Sequence, residues 1–189
     1  ILSDDLSSPN VSIPKDGVET KSDLEVKTDN SEVNATNLLK NGDFSQTEAK
    51  SGLWTGEKAS DWTVWIDSKS TGGSDKKIAV ENGQLILSSS DTFRAVVHQT
   101  VTIDPSKKYK LRFKIKTSSK VGLARVRIIE EKDGKKNLWY SKNTSNTTND
   151  WLTIEDDYTP SLDTSTIKME LFYELSLIHI SEPTRLDVI

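Results

Sequence analysis

Seven side chains in this sequence are of types that grip ring-shaped or acidic ligands: Trp65, Arg94, His98, Arg112, Lys114, Arg125 and Arg127. An indole offers a large flat apolar surface that can stack on the apolar face of a pyranose ring. Arginine presents a planar fork of donors that meets a carboxylate, sulfate or phosphate through paired hydrogen bonds, and lysine adds a point charge. A lone histidine can add a bond to a hydroxyl or a carboxylate. Between positions 107 and 142 there are 13 basic residues and three acids, so an anionic ligand is the expectation. Reaction chemistry is poorly supplied. The chain has no cysteine, which removes thiolate nucleophiles and thiolate metal sites. His98 has no Ser/His/Asp or metal-ligand spacing around it. The pairs Glu130-Glu131 and Asp156-Asp157 are adjacent, so on a strand their side chains diverge and cannot act as paired acid and base. No glycine-rich phosphate loop is present.

Strands must position these groups. Gln84–Ser88, Arg94–Val101, Lys108–Thr117, Leu123–Glu130, Trp151–Asp156 and Ile167–Tyr173 alternate or are β-branched, and Gly, Asp, Asn, Pro and Ser turns separate them. The pattern predicts an all-β, antiparallel β-sandwich of the jelly-roll or galactose-binding-like kind. Lys132-Asp-Gly-Lys135 is a hairpin signal, because Asp-Gly tolerates the positive φ of a tight turn. Alternation sorts the faces. Tyr109, Leu111, Phe113 and Ile115 go inward, and Lys110, Arg112, Lys114 and Lys116 outward. Ala124, Val126 and Ile128 go inward, with Arg125 and Arg127 outward. Ile167, Met169, Leu171 and Tyr173 go inward, with Lys168, Glu170 and Phe172 outward. Trp62, Val64 and Ile66 share the core side, which turns Trp65 out. Arg94 and His98 lie opposite Ala95 and Val97. Trp151 is expected in the core, and Trp54, Trp139 and Tyr140 in loops.

Charge and composition divide the chain. Residues 1–36 hold three lysines against eight acids and no aromatic residue, which reads as a disordered leader. Residues 37–174 hold 21 basic and 19 acidic residues, a net of +2, and form the folded module. That small excess, without aromatics interleaved among the basic groups, argues against nucleic acid. Residues 175–189 break the β pattern. Leu175-Ser-Leu-Ile-His-Ile-Ser-Glu-Pro-Thr-Arg185 resembles the conceptual translation of a transposase adapter used in DNA library preparation. It is expected to be a non-native tail, which would leave the sandwich without its own final strand after Glu174. No run approaches the roughly 18 apolar residues of a membrane span, and a monomer is expected.

Residues 37–174 resemble the N-terminal family-70, hyaluronan-binding carbohydrate-binding module of bacterial hyaluronate lyases. The resemblance rests on Asn37-Leu38 with Asn41-Gly-Asp-Phe44, Trp54-Thr-Gly56, Trp62-x-x-Trp65 with Asp67, and Arg94-Ala95. It continues through Lys108-Tyr-Lys-Leu-Arg-Phe-Lys-Ile-Lys-Thr117, Val126-Arg-Ile-Ile-Glu-Glu131, Asp150-Trp151 and Ile167–Glu174. It implies a non-catalytic, secreted or cell-surface bacterial module that binds hyaluronan and targets an attached lyase to it. The alternative is a generic neutral-glycan-binding or spacer domain. The resemblance implies no catalytic cofactor. It raises a structural calcium near the Asn41–Phe44 turn, completed in relatives by a residue of the last strand.

Overall fold

The computed structural model describes residues 36–117, 123–142, 150–174 and 178–188. The leader expected over 1–36 lies, except for its last residue, outside the described residues. One compact unit spans Asn34–Ile189, and every regular element in its described residues is a strand. In chain order these are β1 (Thr47–Glu48), β2 (Lys58–Ala59), β3 (Thr63–Thr71), β4 (Lys77–Glu81), β5 (Gln84–Ser88) and β6 (Phe93–Thr102). They continue as β7 (Tyr109–Thr117), β8 (Leu123–Lys132), β9 (Lys135–Tyr140), β10 (Leu152–Tyr158), β11 (Thr166–Glu174) and β12 (Ile178–Val188).

Two five-stranded antiparallel sheets form the sandwich. Sheet I runs β10-β7-β12-β5-β4, sheet II runs β3-β6-β11-β8-β9, and β1 and β2 make a separate two-stranded ribbon. Inward residues of both sheets build one core. Ile78, Leu85, Leu87, Tyr109, Leu111, Phe113 and Ile115 come from sheet I. Ala95, Val97, Val126, Ile128, Met169, Leu171 and Tyr173 come from sheet II. Apolar faces meeting in this way supply the main driving force for the fold.

Tight turns hold the ladder in register. Asn82 and Gly83, at φ 51° and 70°, close β4 onto β5, and Asp133 and Gly134, at 50° and 75°, close β8 onto β9. Two positive φ values at the turn centre match the twist of paired strands, and Asn-Gly or Asp-Gly adopts them at low steric cost. The Asp-Gly hairpin expected at Lys132–Lys135 is therefore present. A second device is the Glu130 carboxylate, fully buried at the end of β8. It accepts hydrogen bonds from the Ser161 and Leu162 backbone N–H groups, the Ser161 hydroxyl, the Tyr158 phenol and the Asn137 amide. These tie the β10–β11 loop and β9 to the core.

β12 occupies the middle of sheet I. It pairs with β5 through Ile178–Ser181 and with β7 through Ile178–Val188, with a register break between Ser181 and Arg185. The closing-strand position is thus filled by the segment that resembles an adapter translation.

Candidate functional site

The outward surface of sheet II carries a continuous lateral row. Trp65 on β3 lies opposite Val96 on β6, Val96 opposite Phe172 on β11, and Phe172 opposite Arg125 on β8. Three strand spacings put about 14 Å between the first and last of these backbones, a span of a few pyranose rings. One step along the strands a second row runs Thr63, His98, Glu170, Arg127 and Tyr140. Trp65 is 47% exposed and Tyr140 39%. Phe172 points outward yet is only 7% exposed, because two guanidinium groups cover it. The Arg125 Cζ stands 5.5 Å and the Arg127 Cζ 5.0 Å from its ring centroid. Arg125 also stacks on Tyr140 at 4.0 Å, well inside the range for a cation–π contact.

Electrostatics distinguish the arginines. Arg94 binds Asp67 at 3.2 Å and also Glu174. Arg127 donates through Nε and Nη2 to Glu170, whose carboxylate is nearly buried. Among the described residues Arg125 has ring contacts and no ion pair, and its buried Nε has no acceptor. His98 lies half-buried between Thr63 and Glu170. Burial and the nearby charge of Lys168 hold its imidazole below the usual histidine pKa, against the opposing pull of Glu170. The shift favours the neutral imidazole, which can both donate and accept a hydrogen bond. The set can stack a ring on Trp65 and present to an acid one guanidinium that has no ion pair among the described residues, and no metal-binding cluster is found among those residues.

The family model CBM_4_9_1, described as BppA domain 1, matches residues 39–180. The chain belongs to this family. Its folded part is thus a carbohydrate-binding module, which binds glycans without performing chemistry on them. Solved structures agree on the fold. A family-4 module, solved under the description "CBM4 structure and function", superposes with a TM-score of 0.55 at 19% identity, over 79% of this chain and 99% of that one. TmCBM61, solved in complex with β-1,4-galactotriose, gives 0.52 at 17% identity over 80% and 97%. A family 16 carbohydrate-binding module gives 0.50 at 17% identity over 79% and 99%.

Five of the seven residues expected at the site lie together on the module's sheet II face: Trp65, Arg94, His98, Arg125 and Arg127. The single face expected from the sequence is corrected for Arg112 and Lys114. Both sit on β7, which pairs with β10 and β12 in sheet I, so they project from the opposite side of the sandwich. Arg112 is paired there with Glu155 at 2.6 Å. Alternation says which side chains leave the core, and it does not say through which sheet. Trp54 lies in the loop between β1 and β2, as expected, with its ring buried in the core. Other aromatic placements differ from expectation. Trp139 is on strand β9 rather than in a loop, packing edge-on to Tyr158 at 5.6 Å between centroids. Trp151 is half-buried and outside the core cluster. Tyr140 and Phe172 are the additions to the site. Phe172 was legible as outward, and its partner was not.

The Asn41–Phe44 turn is closed by the protein's own bonds. The Asn41 side chain accepts from the Gln46 N–H at 3.0 Å and donates to the Gln46 and Ser60 carbonyls at 2.8 and 2.9 Å. Asp43 Oδ1 is engaged by the Ser45 N–H and hydroxyl. Trp62 locks the turn from within, its Nε1 donating to the Asn41 carbonyl at 3.0 Å. An amide that bridges two segments makes there a connection of the kind a cation can make, and among the described residues no group of three or more His, Cys, Asp or Glu side chains is placed to hold a metal. Adding EDTA is therefore expected to leave the thermal midpoint unchanged. A drop of several degrees, reversed by calcium, would contradict this reading of the turn.

Proposed function

We propose that the sheet II face of this module binds hyaluronan and, in a secreted or surface-displayed bacterial protein, holds an attached polysaccharide lyase on that substrate. The observation that carries the reading is Trp65. It is a large aromatic residue left half in solvent on a face whose neighbouring apolar residues, Val96 and Phe172, are covered. Leaving such a ring exposed costs hydrophobic free energy unless something stacks on it. The hyaluronan assignment is supported by the resemblance of residues 37–174 to hyaluronan-binding modules and by the guanidinium groups beside Trp65. Hyaluronan carries one carboxylate per disaccharide, which suits isolated guanidinium groups rather than a dense basic patch.

A shallow, open face excludes little water, so the expected Kd is micromolar to millimolar, about −8 to −4 kcal/mol. Isothermal titration with hyaluronan oligosaccharides tests the proposal. Raising sodium chloride from roughly 0.05 to 0.5 M, which shortens the Debye length well below 10 Å, should weaken binding severalfold. The pairing of Arg94 and Arg127 with Asp67, Glu174 and Glu170 favours a second reading, a neutral glycan held by stacking and hydroxyl bonds. Salt-independent binding to a neutral oligosaccharide, with no heat from hyaluronan, would select it.

A further inference from the structure

We propose that Arg125 is the residue that reads the carboxylate of a hexuronate, and that the other arginines of the predicted set do not. The inference rests on the reading of sheet II as the glycan face and names the specificity-determining group within it. Four arginines leave the core on β6, β7 and β8. Arg94 is held by two carboxylates, Arg127 by one and Arg112 by one. A guanidinium already bonded to a carboxylate has part of its charge neutralised and fewer free N–H donors, so it attracts a second acid less strongly. Asp67, Glu170 and Glu174 would also repel an arriving anion. Counting the charged groups named on this face, Arg94, Arg125, Arg127 and Lys168 stand against Asp67, Glu170 and Glu174. That is four against three, a surplus of one positive charge.

Among the described residues, Arg125 is the guanidinium of these four without a carboxylate. It is not loose. Tyr140 lies under it at 4.0 Å and Phe172 at 5.5 Å. Packing on two rings fixes the plane of the fork and lowers the rotamer entropy lost on binding. Its Nε, like that of Arg94, is buried without an acceptor among the described residues, so an arriving acid would be met by the two Nη groups at the end of the fork. Trp65 stands three strands away on the same row. A chain lying across the strands can therefore stack one ring on Trp65 while a carboxylate a few rings along meets Arg125. The stack on Tyr140 also explains why lysine would be a poor replacement, since an ammonium has neither the plane nor the fork.

The test compares a hyaluronan oligosaccharide with the same oligosaccharide after reduction of its carboxylates to primary alcohols. Arg125→Gln should lower affinity for the native oligosaccharide about tenfold and flatten its salt dependence. Binding of the reduced form should stay unchanged. Arg125→Lys should recover less than half of the loss in free energy, and Arg112→Gln, on the opposite sheet, should change nothing. A thermal midpoint within a few degrees of wild type certifies each variant. In the unaltered protein, the Arg125 Nε–H resonance should move on adding the native oligosaccharide and not on adding the reduced one. If wild type binds the native oligosaccharide and Arg125→Gln binds it equally well, the assignment of Arg125 is wrong while the glycan face stands. If wild type binds neither form, the hyaluronan reading fails first and takes this inference with it.

Discussion

Replacing Trp65 with alanine should remove measurable binding of hyaluronan oligosaccharides while leaving the thermal midpoint within about 2 °C of wild type. The indole projects from edge strand β3 away from the core, and nearly half its surface is in solvent, so truncation leaves no cavity. The stacking surface is lost entirely. For a module whose whole binding free energy is about −4 to −8 kcal/mol, a tenfold loss is enough to carry a weak site below detection. Trp62, three residues earlier, is the control. Its ring is 1% exposed, tilts against Phe44 at 5.5 Å and donates to the Asn41 carbonyl. Trp62→Ala should destabilise the fold by about 3–5 kcal/mol. Chemical denaturation beside titration on both variants separates the two roles. Unfolding of Trp65→Ala would mean that the ring belongs to the core.

The largest stability effect of a polar substitution is expected at Glu130. Burial alone would raise its pKa, yet the N–H groups of Leu162 and Ser161, the Ser161 hydroxyl and the Tyr158 phenol together outweigh burial and hold the carboxyl below its ordinary value. The sign follows from linkage. A folded-state pKa below the unfolded one gives stability that is present above the unfolded value and is lost as pH falls through the folded value. Glu130→Gln turns one acceptor oxygen into an NH₂ facing donors, leaving buried N–H groups unpaired. A loss of roughly 3 kcal/mol, about 10 °C in the midpoint for a domain of this size, is expected. The variant should also lose part of the wild type's acid sensitivity below about pH 4, near the ordinary carboxylate pKa. A midpoint unchanged at pH 7 would show that the loop between β10 and β11 is not held by this carboxylate.

Much of the fold was legible because strand alternation is a local signal. The faces read from Lys108–Thr117, Leu123–Glu130 and Ile167–Tyr173 are the ones observed, with Phe113, Val126 and Met169 inside and Arg112, Arg127 and Glu170 outside. Strands β1, β2, β4, β9 and β12 were not among those expected, and two of them carried local signals. β4 is bounded by the Asn82-Gly83 turn, whose residue types could have announced a hairpin onto β5. β9 contains Leu138-Trp-Tyr140 directly after an Asp-Gly turn, so Trp139 and Tyr140 belonged to a strand's opposite faces rather than to loops. The site was only half legible for a different reason. Which sheet receives β7 depends on long-range pairing with β10 and β12, and nothing local to Arg112 or Lys114 encodes it. Ion pairing is equally non-local. Arg94 finds Glu174 and Arg127 finds Glu170 only because β11 runs between β6 and β8, so a basic stretch in the sequence became a nearly neutral face in the fold.

The most direct test of the glycan face is a two-dimensional ¹⁵N NMR titration of the intact chain with a hyaluronan oligosaccharide, following backbone and indole resonances together. The account predicts that the largest shifts fall on the Trp65 indole N–H and on backbone amides of β3, β6, β8 and β11 around Val96, Arg125 and Phe172. The Trp54 and Trp62 indoles and the β7 amides of Arg112 and Lys114 should stay in place. Shifts centred on β7 and β10, with Trp65 unmoved, would contradict it and move the binding surface to the other sheet.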